Sequence, residues 1–310
     1  MSLGYEGILQ MLAFDHRASF QKDLFGIPGI PSAQQSASIA DSKATILDGL
    51  RLAVAQGVTK QQVAVLVDER FGAAVARTAK REGYLLAMPV EKSGQDEFDF
   101  EYGSSFGAHI EEFDPDFAKV LVRYNPNGDQ PANRRQLARL SELSGWLHAR
   151  DRKFLFELLV PATAGQLQRV DGDRRTYDAE IRPSLVIRTM ADAQAAAVEP
   201  DIWKIEGMDR TEDYARVAAQ ARAGGRGGVA CMVLGGGESR DRVVDWLRRA
   251  ARVAGYIGFA IGRTIWFDPL KAWLEREIDR DRAVAMIAGN YRRMVDAYSS
   301  GQVANRGPAS

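Results

Sequence analysis

Short apolar runs rich in Val, Ile, Leu and Phe recur at 8–14, 63–67, 84–90, 118–124, 153–160, 202–206, 229–234 and 256–261. Each run is continuous rather than alternating, which suits strands of a parallel sheet covered on both faces. Between most of them the pattern turns helical, at 73–81, 134–150, 183–197, 211–223 and 239–254. In the last of these Ser239 offers an N-cap, and Val243, Val244, Trp246, Leu247 and Ala250 recur on one side. Glu212 and Asp213 stand where a helix N-terminus favours acids. Strand and helix alternating about eight times predict an α/β fold, a closed (β/α)8 TIM barrel with right-handed crossovers. A doubly wound open sheet is the rival. It calls for a glycine-rich nucleotide turn after the first strand, where this chain has Phe14-Asp15-His16-Arg17.

Two regions exceed the repeat. Residues 18–62 hold a loop from Phe25 to Pro31 and then a helix expected over 36–56. Residues 165–181, with Asp171-Gly172-Asp173-Arg174-Arg175, form a charged excursion after the fifth strand, read either as a lid or as a plain surface insertion. Extra C-terminal helices are expected at 269–277 and 281–298. The reading is one domain over 1–300 and a flexible tail over 301–310. Trp266, Phe267, Leu270 and Trp273 either cover the barrel's end or form a subunit contact, so a homo-oligomer stays open.

Composition narrows the classes of function. The 310 residues are 45% hydrophobic and 26% charged, with 41 basic and 41 acidic side chains. The balance of charge argues against a nucleic-acid or membrane partner held by bulk charge, while a local basic pocket for phosphate remains compatible. Only one cysteine, Cys231, is present, so no intrachain disulfide forms and a cytoplasmic location is expected. No apolar run approaches the roughly 18 residues that span a bilayer.

The candidate chemistry gathers where the strands end, the active-site face of such a barrel. Asp15, His16 and Arg17 follow the first strand; Asp68, Glu69 and Arg70 the second; Glu91 and Lys92 the third. Lys119, Arg123, Glu157, Lys204 and Glu206 lie within or just after later strands. Each alone reads equally as a solvated loop residue or an ion-pair partner, but together they suggest chemistry on an anionic, polar substrate. Lys204, in Ile202-Trp203-Lys204-Ile205-Glu206, is the sharpest case. If Ile202 and Lys204 share a face, the lysine points into the barrel, where desolvation and a second inward lysine, Lys119, would depress its pKa and free a nucleophilic amine for a Schiff base. The alternative is a lysine snorkelling from a strand terminus. Glu157, flanked by Phe156 and Leu158, either pairs with a buried cation or has a raised pKa suited to proton transfer, and Asp15 can take a proton from a substrate hydroxyl. Gly235, Gly236 and Gly237 after the seventh strand, and Gly262 with Arg263 after the eighth, let backbone N–H groups approach a phosphate. His16, His109 and His148 show no ligand spacing, so no metal and no other cofactor is expected.

Over roughly 8–298 the chain resembles the class I (Schiff-base) aldolases of the tagatose-1,6-bisphosphate aldolase type. It is most similar to the aldolase-like domain associated with 5-dehydro-2-deoxygluconokinase in myo-inositol breakdown. The resemblance rests on Leu12-Ala13-Phe14-Asp15-His16-Arg17, Val67-Asp68-Glu69-Arg70-Phe71-Gly72, Glu91-Lys92-Ser93-Gly94, Lys119-Val120-Leu121-Val122-Arg123-Tyr124, Phe156-Glu157, Trp203-Lys204-Ile205-Glu206 and Ile261-Gly262-Arg263-Thr264-Ile265-Trp266. It implies Lys204 as the Schiff-base lysine, Glu157 as its acid–base partner, and Asp15 and Lys119 as handlers of the cleaved hydroxyl and substrate oxygens. Gly236, Gly262 and Arg263 would hold a phosphate, with His16, Arg17, Glu91, Lys92, Arg123 and Gly235 completing the substrate site. The implied substrate is a phosphorylated keto sugar or keto sugar acid, such as 2-deoxy-5-keto-gluconate 6-phosphate, cleaved to dihydroxyacetone phosphate and an aldehyde. One departure is the all-glycine turn after the seventh strand, where the tagatose enzymes carry a serine. The rival readings are a transaldolase or isomerase on the same scaffold, and a non-catalytic sugar-phosphate-binding barrel.

Overall fold

The computed structural model describes residues 2–306. Eight strands, β1 (Leu9–Ala13), β2 (Val63–Leu66), β3 (Leu85–Pro89), β4 (Phe117–Arg123), β5 (Lys153–Leu159), β6 (Ile202–Glu206), β7 (Ala230–Leu234) and β8 (Tyr256–Ile261), coincide with the eight apolar runs to within a residue or two. They pair in sequence order and in parallel, and β8 returns to β1 through Leu9 beside Gly258 and Leu12 beside Ile261, which closes the barrel. The fold is the predicted (β/α)8 barrel.

Alternation along each strand divides the core in two. Leu9, Met11, Ala64, Leu66, Phe117, Leu155, Ile202, Ala230 and Met232 fill the inside, while Leu12, Val65, Val120, Phe156, Trp203, Val233 and Ile261 face the surrounding helices. Tyr5 packs edge-on against Phe117 and plugs the N-terminal end. Toward the C-terminal end the inward residues Ala13 and Ala260 are small, and a cavity opens above them. On β4, β5 and β6 the inward positions nearest that opening are Lys119, Leu121 and Arg123, then Glu157 and Leu159, then Lys204 and Glu206. The β5–β6 register sets Glu157 directly beside Lys204.

Several expectations change. The helix Ala18–Phe25 precedes the expected Phe25–Pro31 loop, and Phe106–Phe113 is a further helix; the sequence pattern revealed neither. The 165–181 excursion is helical, ending in a π-helical turn at Tyr177–Ile181 anchored by the Tyr177 hydroxyl donating to the Val160 carbonyl at 2.8 Å. No residue of that excursion lines the cavity, which favours the surface-insertion reading over the lid. The helix expected to begin at residue 269 begins at Arg263, immediately after β8, and the last helix runs Arg280–Arg306. Residues 301–306 of the expected flexible tail are therefore helical, and 307–310 lie outside the described residues. Trp266 and Leu270 are fully buried, with the Trp266 indole N–H donating to the Ala13 carbonyl at 2.9 Å. Cys231 is buried, and no helix among the described residues is long and apolar enough to cross a membrane.

Candidate active site

Lys119 and Lys204 are 1% and 4% exposed. Such burial of two ammonium groups demands anionic partners. Lys204 Nζ lies 2.8 Å from Glu157 Oε1, and the other oxygen of that carboxylate lies 3.0 Å from Lys119 Nζ. Lys119 also donates to Asp15 Oδ2 and Glu91 Oε1, each at 2.8 Å. β1, β4, β5, β6 and the segment after β3 thus converge on one chain of alternating charge, as the inward alternation of the strands requires.

The field of this cluster sets its protonation. Burial alone would raise Glu157 and Asp15, but Lys119 and Lys204 hold both carboxyls below their ordinary range, with His16 adding to the pull on Asp15. Of the two sequence readings of Glu157, the structure selects the ion-paired one. Lys119 is correspondingly raised: burial opposes its charge, and Asp15, Glu157 and Glu91 outweigh it. Glu91 goes the other way, raised by burial against the pull of Lys119 and Arg17. The His16 imidazole is pushed down to about 4, chiefly by burial.

These residues form the floor and wall of a cavity of about 500 Å³ at the C-terminal mouth. The thirteen positions that the resemblance assigns to the site line it: Asp15, His16, Arg17, Glu91, Lys92, Lys119, Arg123, Glu157, Lys204, Gly235, Gly236, Gly262 and Arg263. Within the wall their situations differ. The Arg17 Nη groups are occupied, by the Glu91 carbonyl at 2.7 Å and by Glu101 Oε2 at 3.0 Å, which makes the guanidinium a strut between loops rather than a free anion ligand. Arg123 donates to the Gln95 carbonyl at 3.0 Å. Arg263 pairs with Asp23 at 2.6 Å and lies over the Phe267 ring. Gly236 and Gly237 have φ of 58° and 76°, a turn that glycine adopts without strain. Gly262 caps the helix Arg263–Leu274, and a Cβ there would stand 2.2 Å from the Ala13 carbonyl oxygen. The glycine turn after β7 and this helix N-terminus together offer an anion-binding corner across the mouth from β3 and β4.

Asp68, Glu69 and Arg70 do not reach the cavity, which corrects their place among the converging charges. Asp68 is fully buried and ion-paired with Lys43, and caps the next helix by accepting from the Phe71 N–H at 2.8 Å. Glu69 pairs with His109 at 2.9 Å on the outer surface. With Glu112 these two form the one group of metal-capable side chains found close together among the described residues, away from the cavity and with Glu112 already paired to Arg77.

Lys43 is a buried residue beside the site that sequence reasoning missed. From the helix Ala33–Ala55 its ammonium donates to the carbonyls of Phe14 at 2.6 Å and His16 at 3.0 Å, bracketing Asp15. The signal was present, for Lys43 falls on the apolar stripe Ile39, Ile46, Leu47 and Leu50. Glu101 and Asp23, which hold Arg17 and Arg263, carry no such signal.

Comparison with known proteins places the chain among aldolase barrels in fold. It is 23% identical over 219 residues to tagatose 1,6-diphosphate aldolase 1 of Streptococcus pyogenes serotype M3 (strain SSI-1), and equally to that of serotype M1. The match covers 66% of this chain but only 59% of that relative. Among solved structures, fructose-bisphosphate aldolase from Plasmodium falciparum superposes with a TM-score of 0.67 at 12% identity, covering 96% of this chain and 92% of that one. Cgl0159 of Corynebacterium glutamicum superposes with a TM-score of 0.57 at 16% identity, covering 94% and 88%. Because its profile matches residues 5–302, nearly the whole barrel, the chain belongs to the family described as "Uncharacterized protein conserved in bacteria (DUF2090)".

Proposed function

We propose that the chain is a class I aldolase that cleaves a phosphorylated keto sugar or keto sugar acid through a Schiff base on Lys204. The observation that carries this reading is the pair Lys204–Glu157 at 2.8 Å on a buried cavity floor, with Lys119 and Asp15 completing the chain. Similarity to tagatose 1,6-diphosphate aldolase supports the substrate class.

In this mechanism Lys204 passes a proton to Glu157 and its amine adds to the substrate ketone. Glu157 then returns the proton to the carbinolamine oxygen, and water leaves to give an iminium. Asp15, held by Lys119, accepts the proton of the hydroxyl on the bond to be broken. The electrons of the carbon–carbon bond flow to the iminium, giving an enamine and a free aldehyde. Protonation of the enamine carbon and hydrolysis by one water release dihydroxyacetone phosphate and restore Lys204. The phosphate rests on the N–H groups of Gly236, Gly262 and the helix start at Arg263. Among sugar acids, 2-deoxy-5-keto-gluconate 6-phosphate is a candidate substrate, with malonate semialdehyde as its aldehyde product.

Borohydride reduction in the presence of dihydroxyacetone phosphate, followed by peptide mass spectrometry, tests the reading. The expected result is a covalent adduct on Lys204, absent in Lys204→Met. Binding of dihydroxyacetone phosphate without an adduct would instead favour a sugar-phosphate-binding barrel.

A further inference from the structure

Three carboxylates share the Lys119 ammonium, and they differ in what is left over. Both oxygens of Glu157 are taken, one by each lysine. Asp15 gives Oδ2 to Lys119, with Oδ1 4.0 Å from His16 Nδ1. Glu91 gives Oε1 to Lys119 at 2.8 Å and to Arg17 at 3.5 Å, but its Oε2 is buried with no hydrogen-bond partner. The residue is 7% exposed and forms part of the cavity wall. A buried acceptor without a donor is costly, and a ligand that brings one removes the cost. A carboxyl in this position suits a neutral hydroxyl and repels a phosphate or carboxylate.

Strand order says which part of the substrate passes by. Glu91 follows β3, which lies across the eight-stranded barrel from β7, where the phosphate corner stands. Lys204 on β6 takes the ketone carbon. The half of the sugar beyond the cleaved bond therefore extends toward Glu91.

We infer that Glu91 Oε2 reads a hydroxyl on the aldehyde half of the substrate, on the carbon next to the one that becomes the aldehyde. This deepens the aldolase reading and rests on it. It favours hydroxylated keto sugars over deoxy sugar acids, because a methylene at that carbon leaves Oε2 unmatched.

The test runs the reaction in the synthetic direction with dihydroxyacetone phosphate and either glycolaldehyde or acetaldehyde, acceptors that differ by the hydroxyl in question. The Lys204 iminium loses a proton from carbon to form the enamine, which bonds to the aldehyde carbon. The aldehyde oxygen takes up a proton, and water frees the product. Wild-type kcat/KM is expected to favour glycolaldehyde by about 30-fold or more. Glu91→Ala should bring the ratio to within about threefold, and Glu91→Gln, which keeps hydrogen-bonding atoms, should retain most of it. A wild type without preference, or a Glu91→Ala variant that slows both acceptors equally, overturns the inference; the wild-type ratio does not depend on how the variant folds. Absence of the borohydride adduct on Lys204 would defeat the aldolase reading itself, whereas an adduct without acceptor preference removes only the role of Glu91.

Discussion

Replacing Lys119 by methionine removes one charge at nearly constant shape and takes a shared cation from three carboxylates, of which Glu157 keeps Lys204 and Glu91 keeps Arg17. The ammonium stands 2.8 Å from Asp15, 2.8 Å from Glu91 and 3.0 Å from Glu157, at 1% exposure. Deleting one partner of a buried ion pair typically costs about 3–5 kcal/mol, and sharing among three anions puts this case toward the upper end. The pH dependence supplies a sharper test than the size. In the wild type, burial raises Asp15 and Glu157 but the lysines more than reverse it. A carboxyl depressed in the folded state contributes stability above its unfolded value, about 4, and loses it as the pH falls through the folded value. Without Lys119, Asp15 loses its ion-pair partner and burial and repulsion from the neighbouring carboxylates raise it, while Glu157 keeps Lys204, so the variant is penalised at neutral pH and relieved by acid. The stability gap between the two proteins should narrow by about 1 kcal/mol or more between about pH 7.5 and about pH 5.5, since each tenfold change in proton affinity between the folded and unfolded chain is worth about 1.4 kcal/mol. Urea unfolding followed by circular dichroism at both pH values measures this. A loss below about 1 kcal/mol at neutral pH, or a gap that widens on acidification, would refute the picture of one cation shared by three buried anions.

Lys43→Met strands the fully buried Asp68 and frees the carbonyls on either side of Asp15, so a loss of about 3–5 kcal/mol is expected. The double variant Lys43→Met/Asp68→Asn should lose less than the sum of the single changes, and strict additivity of their unfolding energies would deny the coupling. Gly262→Ala sets a methyl 2.2 Å from the Ala13 carbonyl oxygen and 3.2 Å from the His16 ring; a destabilisation of about 1–3 kcal/mol by thermal unfolding is expected, and an unchanged melting temperature would contradict that packing. Burial, joined by Lys43 and Lys204 against the pull of Asp15, holds the His16 imidazole down at about 4, whereas an unfolded histidine titrates near 6.5. The unfolded chain therefore takes up a proton first as the pH falls, which costs on the order of 1–2 kcal/mol between about pH 7 and pH 5. His16→Asn should flatten that part of the stability–pH curve, and an unaltered slope would show that the imidazole protonates normally in the fold.

The eight strands and the buried lysine Lys204 were legible in the chain alone, because each breaks the pattern around it. Val63–Leu66 and Ala230–Leu234 are buried on both faces and so read as continuous apolar runs, and Lys204 stands out because an ammonium has no ordinary place inside one. The glycines after β7 and β8 stood out in the chain as well, and in the fold Gly236 takes a positive φ while Gly262 packs against the Ala13 carbonyl. The helices Ala18–Phe25 and Phe106–Phe113 were not legible, since eight residues carry too little periodicity and such short helices are held by packing rather than by propensity. Tertiary structure alone decided how the charges pair. Arg17 meets Glu101 across 84 positions and Arg263 meets Asp23 across 240, distances that no local period encodes. Closure of the barrel and the register of β5 on β6 place Glu157 between two lysines and leave one oxygen of Glu91 unclaimed, because only a closed ring of strands brings residues so far apart in sequence onto the same inward-facing layer.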